Sequence, residues 1–88
     1  MARHGDWKVY VLVGRKSVTY TGVTARPLEV RVREHAKRPG GPWRVVLTVD
    51  GVSRQTAERV EAALKRLGGV DAKLAYAAKS GLRVTTNF

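Results

Sequence analysis

The chain has 88 residues, no cysteine and a formal net charge of +10, from 17 Lys and Arg against 7 Asp and Glu. This composition excludes a disulfide framework and a thiolate metal site, and no apolar run reaches the ~18 residues of a membrane-spanning helix. The beginning of the chain lacks the apolar core of a signal peptide, so we expect a cytoplasmic, intracellular protein. Because so basic a surface attracts polyanions, nucleic acid is the expected partner.

The first half of the chain predicts a β-hairpin. Residues 7–13 and 17–23 are rich in β-branched and aromatic residues and flank a Gly-Arg-Lys turn. A loop of three residues sets Tyr10 directly opposite Tyr20, with both on one face of the sheet, whereas a loop of two residues places them on opposite faces. We expect the three-residue loop, with Gly14 at positive φ.

Residues 28–37, LEVRVREHAK, are compatible with two secondary structures. Three apolar residues alternate with charged ones at the start of the segment, which is typical of a strand. The proline before the segment and the Pro-Gly after it favour a helix. The choice matters for chemistry, because Arg31 and His35 are close neighbours only on a helix, where they lie one turn apart.

The second half predicts a buried strand followed by helices. Residues 43–49, WRVVLTV, form an apolar run of strand length. Ser53 is a natural N-cap for a helix over residues 53–67, which carries one apolar stripe and ends at two glycines. Residues 70–79 predict a short further helix, and residues 82–88 an extended tail. The predicted fold is therefore a single α+β domain over the whole chain, a three-stranded antiparallel sheet flanked by two or three helices.

The predicted helix over residues 53–67 carries a carboxylate that could bind a cation. At ~100° per residue, Glu61 lies on the rim of the apolar stripe, whereas Glu58 points to solvent. A rim carboxylate can hold a hard cation together with waters and a substrate phosphate. An ordinary surface pair with Lys65, four residues later, is the simpler interpretation.

Four short segments follow one another along residues 7–67. KVY and YTG lie on the two hairpin strands, RVREH contains an arginine and a histidine four residues apart, and AERVEAALKRL has a central glutamate. In this order they resemble the signature of the GIY-YIG nuclease superfamily, although Lys8 replaces the glycine of the first tripeptide. The resemblance implies that residues 28–37 form a helix and places the family's glutamate on Glu61.

The resemblance implies a metal-dependent endonuclease that hydrolyses DNA phosphodiester bonds. Glu61 would then hold one Mg²⁺ or Mn²⁺, and Arg31 would bind the scissile phosphate. Tyr10, helped by His35, would activate or position the attacking water, and Tyr20 would hydrogen-bond water or phosphate. A scarcity of Asn, Gln, Met and Cys is also a weak hint of a thermophilic source.

Further residues follow from the same resemblance and from the charge pattern. The family's late asparagine would be Asn87, the one asparagine in the chain. Basic residues expected to grip the DNA backbone are Arg15, Lys16, Arg26, Lys37 and Arg38. A homodimer, or a targeting domain or protein outside this chain, is left open. The alternative functions are a non-catalytic basic nucleic-acid-binding domain of the same fold and an interaction domain whose charge is incidental.

Overall fold

The computed structural model describes residues 5–86, which form a four-stranded antiparallel sheet and three helices. The strands are β1 (Trp7–Val13), β2 (Thr19–Thr24), β3 (Arg44–Val52) and β4 (Arg83–Thr85), and their order across the sheet is β2-β1-β3-β4. The helices are α1 (Leu28–His35), α2 (Arg54–Arg66) and α3 (Val70–Lys79). The predicted α+β class is confirmed. No described helix combines the length and the apolar character needed to cross a membrane.

The sheet has four strands, and the prediction of three was wrong. The segment predicted as an extended tail supplies β4, whose Thr85 and Val84 pair with Thr48 and Val49 of β3. A strand of three residues is too short to show a hydrophobic period, so the sequence indicated an extended conformation without indicating its partner.

The β1–β2 hairpin places the two tyrosines on one face, as predicted, but in a different register. Val13 pairs with Thr19, so residues 14–18 form a five-residue connection instead of the predicted three. Tyr10 consequently lies opposite Gly22, and Tyr20 is its diagonal neighbour. The number of loop residues is still odd, which is why both side chains point to the same face.

The hairpin loop also differs from prediction in where positive φ occurs. Gly14 has an extended conformation (φ −114°), whereas Lys16 and Ser17 have φ of 56° and 61°. Gly14 is needed for space, because a Cβ at this position would collide with the carbonyl oxygen of Gly40. The prediction failed because it considered only the backbone freedom of glycine and not the approach of a second loop.

Residues 28–35 form a helix, which settles the ambiguity of that segment. Pro27 (φ −53°) stands at the N-cap, and Glu29 lies in the first turn, where the helix dipole favours an anion. The helix ends at His35, two residues before the predicted end at 37. Arg31 and His35 are therefore one turn apart on α1.

The two faces of the sheet are covered by different helices. Val9 and Val11 point to the face that packs on α2 and α3, and each buried aliphatic side chain there is worth about 1.5–3 kcal/mol. Ser53 caps α2 as predicted, since its Oγ accepts a hydrogen bond from the Thr56 amide at 3.1 Å. The core on this face consists of Val9, Val11, Leu47, Val49, Val52, Ala57, Val60, Leu64 and Ala77. The alternation of side chains leaves both hairpin tyrosines on the opposite face, beside α1.

Candidate active site

Tyr10 is buried, and its phenol lies over the edge strand β2. The residue is 1% exposed, and its cross-strand partner Gly22 has no side chain to obstruct the ring. A Cβ on Gly22 would lie 2.6 Å from Tyr10 Oη. The ring of Tyr20 is adjacent, with the two ring centres 6.2 Å apart. The glycine at position 22 is thus what allows both phenols to occupy one face.

Arg31 of α1 meets the phenol of Tyr10. Burial raises the pKa of Tyr10 above its usual value, and the hydrogen bond and charge of Arg31 offset this only in part. The hydrogen bond with Tyr10 in turn raises the pKa of Arg31. At neutral pH the pair therefore consists of a protonated phenol and a charged guanidinium. The Nε atom of Arg31 is buried and has no hydrogen-bond partner among residues 5–86.

Glu34 adds a carboxylate to this group of side chains, which we call the tyrosine cluster and which consists of Tyr10, Tyr20, Arg31, Glu34 and His35. Its Oε1 accepts hydrogen bonds from Arg26 Nη2 at 2.6 Å and from Arg31 Nη1 at 2.8 Å. The hydrogen bond from Arg26, together with the charges of both arginines, lowers the pKa of Glu34, so the group is an anion at neutral pH. Sequence reasoning missed Glu34, although its position three residues after Arg31 on a helix was a signal for this contact.

His35 lies between two aromatic rings and is 6% exposed. Its ring centre is 4.3 Å from that of Tyr20 and 4.5 Å from that of Trp43, which it meets edge-on. Burial lowers the pKa of His35, and the charges of Arg38 and Arg31 lower it further. The imidazole is therefore neutral at neutral pH. Its Nε2 atom is buried without a hydrogen-bond partner in the described part of the chain.

Trp43 is a second residue that sequence reasoning missed, since it was predicted only as the beginning of a strand. The loop before it packs closely on its ring, and a Cβ on Gly41 would lie 2.9 Å from Trp43 Cδ1. Its Nε1 donates to the carbonyl oxygen of Arg38 at 3.4 Å, and the guanidinium of Arg38 lies 5.4 Å from the centre of the Tyr20 ring. The Gly-Gly-Pro-Trp sequence was the available signal, because consecutive glycines permit a close approach.

The cluster encloses a pocket of about 120 Å³, which is large enough for a phosphate-sized anion. It is lined by Tyr20, Arg31, Glu34, His35 and Arg38. Two guanidinium groups line the pocket against one carboxylate, and the phenol of Tyr10 contacts Arg31. Guanidinium groups suit the paired oxygens of a phosphate or carboxylate. The pocket therefore has the charge and the donors to bind a phosphate, and a neutral imidazole beside it.

Glu61 lies on α2, which packs on the other face of the sheet. Its side chain is 22% exposed against 57% for Glu58, in agreement with the rim position read from the helical wheel. Its ion pair among the described residues is with Lys65, at 3.4 Å. The contacts described for residues 5–86 do not join Glu61 to the tyrosine cluster.

The rim of α2 that carries Glu61 can be located from its neighbours. Arg59 and Val60 line a groove between α2 and α3, and at ~100° per residue Glu61 lies on the rim turned away from that groove. Helix α3 contacts β3, whereas α2 contacts β1 and β2. Glu61 is thus on the side of the molecule where β2 is the edge strand, the strand over which Tyr10 leans.

A metal ion held by several protein ligands does not fit the described residues. Residues 5–86 contain no group of three or more His, Cys, Asp or Glu side chains that could hold such an ion. Mg²⁺, however, keeps several waters and is often bound by one or two carboxylates plus substrate phosphates. Glu61, partly open to solvent and held by one surface lysine, fits this second kind of binding.

The remaining predicted residues are distributed unevenly. Asn87 lies outside the described residues. Of the five basic residues predicted to contact DNA, Arg26 and Arg38 join the cluster. The other three are exposed and lie in the hairpin loop or after α1: Arg15, Lys16 and Lys37. Arg15 Nε donates to the Gly41 carbonyl at 2.7 Å.

Comparisons of the chain with protein-family models, with curated proteins and with solved structures found no significant match. The grouping of Tyr10, Tyr20, Arg31 and His35 from β1, β2 and α1 is therefore the main structural indication of a function. These four residues come from three sequence motifs. The fold brings Tyr20, Arg31 and His35 to one pocket and places Tyr10 in contact with Arg31.

Proposed function

We propose that this protein is a divalent-metal-dependent endonuclease of the GIY-YIG kind that hydrolyses DNA phosphodiester bonds. The observation that carries the proposal is a phosphate-sized pocket lined by the phenol of Tyr20, two guanidinium groups and a neutral imidazole, with the phenol of Tyr10 behind it in contact with Arg31. The net charge of +10 supports a polyanionic substrate. Exposed cations near the pocket would bind the DNA backbone without reading its sequence.

In the proposed mechanism Arg31 binds the scissile phosphate. Its Nη1 now bonds Glu34, and its buried Nε has no partner among residues 5–86. A phosphate oxygen that approaches Arg31 would compete with the Glu34 carboxylate for Nη1, and the side chain would have to shift before the buried Nε could donate to a second oxygen. Donors that are fixed before the reaction stabilise the charge that develops in the transition state, which is the main electrostatic source of catalysis.

The roles of Tyr10 and His35 in proton transfer differ from those expected from the resemblance. A buried phenol with a raised pKa stays protonated at neutral pH, so Tyr10 would hold Arg31 in place by accepting a hydrogen bond from its guanidinium, while the phenol O–H is free to donate. His35 is neutral at neutral pH and has a free ring nitrogen, so it would accept the proton of the attacking water. Tyr20 lies against the His35 ring and would hydrogen-bond the water or the phosphate.

Glu61 would hold Mg²⁺ or Mn²⁺ on the substrate. When bound, the ion would supply positive charge for the leaving oxygen. The protein contributes one carboxylate on the β2 side of α2, and substrate phosphate and water would complete the coordination.

The test is cleavage of a supercoiled plasmid with and without Mg²⁺, combined with a gel-shift assay. Glu61→Ala and Arg31→Ala should each lower the nicking rate by about 10²–10³-fold, the cost of removing one transition-state charge partner. Glu61→Ala should still bind DNA. Glu58→Ala is the matched control, because it removes a carboxylate from the exposed face of the same helix. Nicking by Glu61→Ala at the wild-type rate would show that the catalytic assignment is wrong.

A non-catalytic nucleic-acid-binding domain of the same fold is the second candidate. It is favoured by the ion pair of Arg31 with Glu34, which already occupies the guanidinium, and by the raised pKa of Tyr10, which makes the phenol a poor base. This candidate predicts a gel shift with steep salt dependence and no nicking at any metal concentration. An interaction domain with incidental charge would show neither result.

A further inference from the structure

A groove between α2 and α3 has features of a binding site and is not used by the proposed reaction. It has a volume of about 420 Å³ and is lined by Thr56, Arg59, Val60, Tyr76, Lys79, Ser80 and Leu82. The main core of the sheet lies between these helices and the tyrosine cluster, since the cluster is on the opposite face. A ligand in the groove would therefore not touch Arg31 or His35.

The charge of the groove is positive and is not neutralised by the protein. Arg59 and Lys79 both line it, whereas no carboxylate does. Neither residue takes part in an ion pair of the described part of the chain, although their neighbours Arg54 and Lys65 do. Arg59 donates one hydrogen bond, to the hydroxyl of Thr56 at 3.4 Å. Two cations without counter-charges in one concave surface indicate an anionic ligand.

An aromatic ring lines the same groove as these cations. Tyr76 is 37% exposed, one of two large apolar residues on the described surface with substantial exposure. The groove also contains the aliphatic side chains of Val60 and Leu82. Flat apolar surface next to unpaired cations is the combination that binds single-stranded nucleic acid, because a base stacks on the ring and its phosphate meets the cations.

We propose that this groove binds one unpaired nucleotide of a single strand, with the base against Tyr76 and the phosphate at Arg59 and Lys79. Thr56 and Ser80 supply hydroxyls for the polar edge of the base or the sugar. A base paired inside a duplex does not offer its face to a tyrosine, so the groove selects unpaired nucleotides. The proposal does not depend on hydrolysis at the tyrosine cluster.

The experiment measures fluorescence anisotropy of a labelled short oligothymidylate with the full chain, in EDTA so that no cleavage occurs. Tyr76→Ala should weaken binding about tenfold, within the range of about 5- to 150-fold for the loss of one stacked base. Tyr76→Phe keeps the ring and should stay within about twofold of wild type. The double variant Arg59→Gln/Lys79→Gln should bind more weakly and reduce the salt slope by about 0.7, the value for one phosphate of a single strand.

The matched control is Arg33→Gln/Arg44→Gln, which removes the same charge from exposed positions outside the groove. It should leave the anisotropy titration of the oligothymidylate close to that of wild type. Unchanged binding by Tyr76→Ala, or equal losses for Tyr76→Ala and Tyr76→Phe, would overturn stacking. A duplex of the same sequence that loses as much affinity on Tyr76→Ala would overturn the selection of unpaired bases. Competition by inorganic phosphate as strong as that by thymidine monophosphate, at equal ionic strength, would reduce the groove to an anion site.

Discussion

Lys73 and Arg31 are both cations with buried polar atoms, and they differ in the hydrogen-bond partners that the protein supplies. Lys73 is 3% exposed, and its ammonium group donates to the backbone carbonyl oxygens of Leu64 and of Leu67, the latter at 2.7 Å. Arg31 donates to the half-exposed carboxylate of Glu34, while its buried Nε has no partner among residues 5–86. The backbone therefore satisfies the donors of Lys73, whereas Arg31 keeps one donor without a hydrogen-bond partner.

The difference indicates what each region is built for. The last carbonyl groups of a helix have no partner within it, and Lys73 supplies donors at the C-terminal end of α2, where a cation also suits the helix dipole. A buried polar atom without a partner costs stability and needs another explanation. At the tyrosine cluster two such atoms belong to Arg31 and His35, residues that line one pocket. We attribute their cost to a ligand that completes them.

The largest expected effect that would sharpen this contrast is the stability loss of Lys73→Ala. Removal of the ammonium takes the Lys73 donor from the Leu67 carbonyl, leaves the Leu64 carbonyl with the Leu67 amide alone, and opens space beside the core. We therefore expect the unfolding free energy to fall by about 2–3 kcal/mol. Plasmid nicking per folded molecule should not change. Urea unfolding, followed by circular dichroism, measures the first quantity.

Lys73→Met is the matched control for packing. It keeps most of the buried volume and removes only the charge and its hydrogen bonds, so its stability should lie between those of wild type and Lys73→Ala. Equal stability of Lys73→Ala and wild type would contradict the structural role. Reduced nicking by fully folded Lys73→Met would show that Lys73 also affects the reaction, contrary to a purely structural role.

The next effect in size concerns Glu34, the anion that now bonds Arg31. Glu34→Gln removes the charge that competes with a phosphate for Arg26 and Arg31, so binding of a short duplex in EDTA should become severalfold tighter. Fluorescence anisotropy at fixed salt measures this change. The expected direction follows from treating Glu34 as a stand-in for the phosphate.

Glu29→Gln provides the control, since it removes an equal charge from an exposed position on the same helix. Tightening that is equal in both variants would mean that only the net charge matters. Weaker binding by Glu34→Gln alone would assign Glu34 the opposite role, that of holding Arg31 in position for the substrate.

The chain's local patterns predicted most of its elements because those elements are long or well capped. The β-branched run of β1, the serine cap of α2 and the spacing of its stripe each have a physical signature within ten or so residues. Helix α1 is the instructive case, since its alternation favoured a strand and its flanking prolines favoured the observed helix. The cap residues outweighed a period seen over only six residues.

The pocket was harder to predict because it depends on register and on contacts between loops. Tyr10 and Tyr20 were placed on one face, but the role of Gly22 in admitting the Tyr10 ring needed the true pairing. Trp43 reaches His35 only because the loop before it packs on the hairpin loop, where Arg15 donates to the Gly40 carbonyl at 2.7 Å. Such contacts between distant segments leave no periodic signal in a single sequence.

The smallest expected effect tests the neutral state of His35 through the pH dependence of stability. Burial and the charges of Arg38 and Arg31 lower its folded pKa below the unfolded value of about 6.5. As pH falls from about 6.5 towards the lowered pKa, the unfolded state binds a proton that the folded state does not, so stability decreases over that window. Above about 6.5 both states are neutral and this contribution is constant.

His35→Phe should remove that pH dependence while keeping a ring between Tyr20 and Trp43. The difference in unfolding free energy between the two proteins should therefore change between pH 7 and pH 5.5, in the direction that favours the variant as pH falls. Carboxylates such as Glu34 titrate in both proteins and cancel in the difference. A difference that stays constant with pH would mean that His35 takes up its proton as easily when folded as when unfolded. In that case a catalytic role for the neutral imidazole would no longer explain why the buried Nε2 atom of His35 has no hydrogen-bond partner.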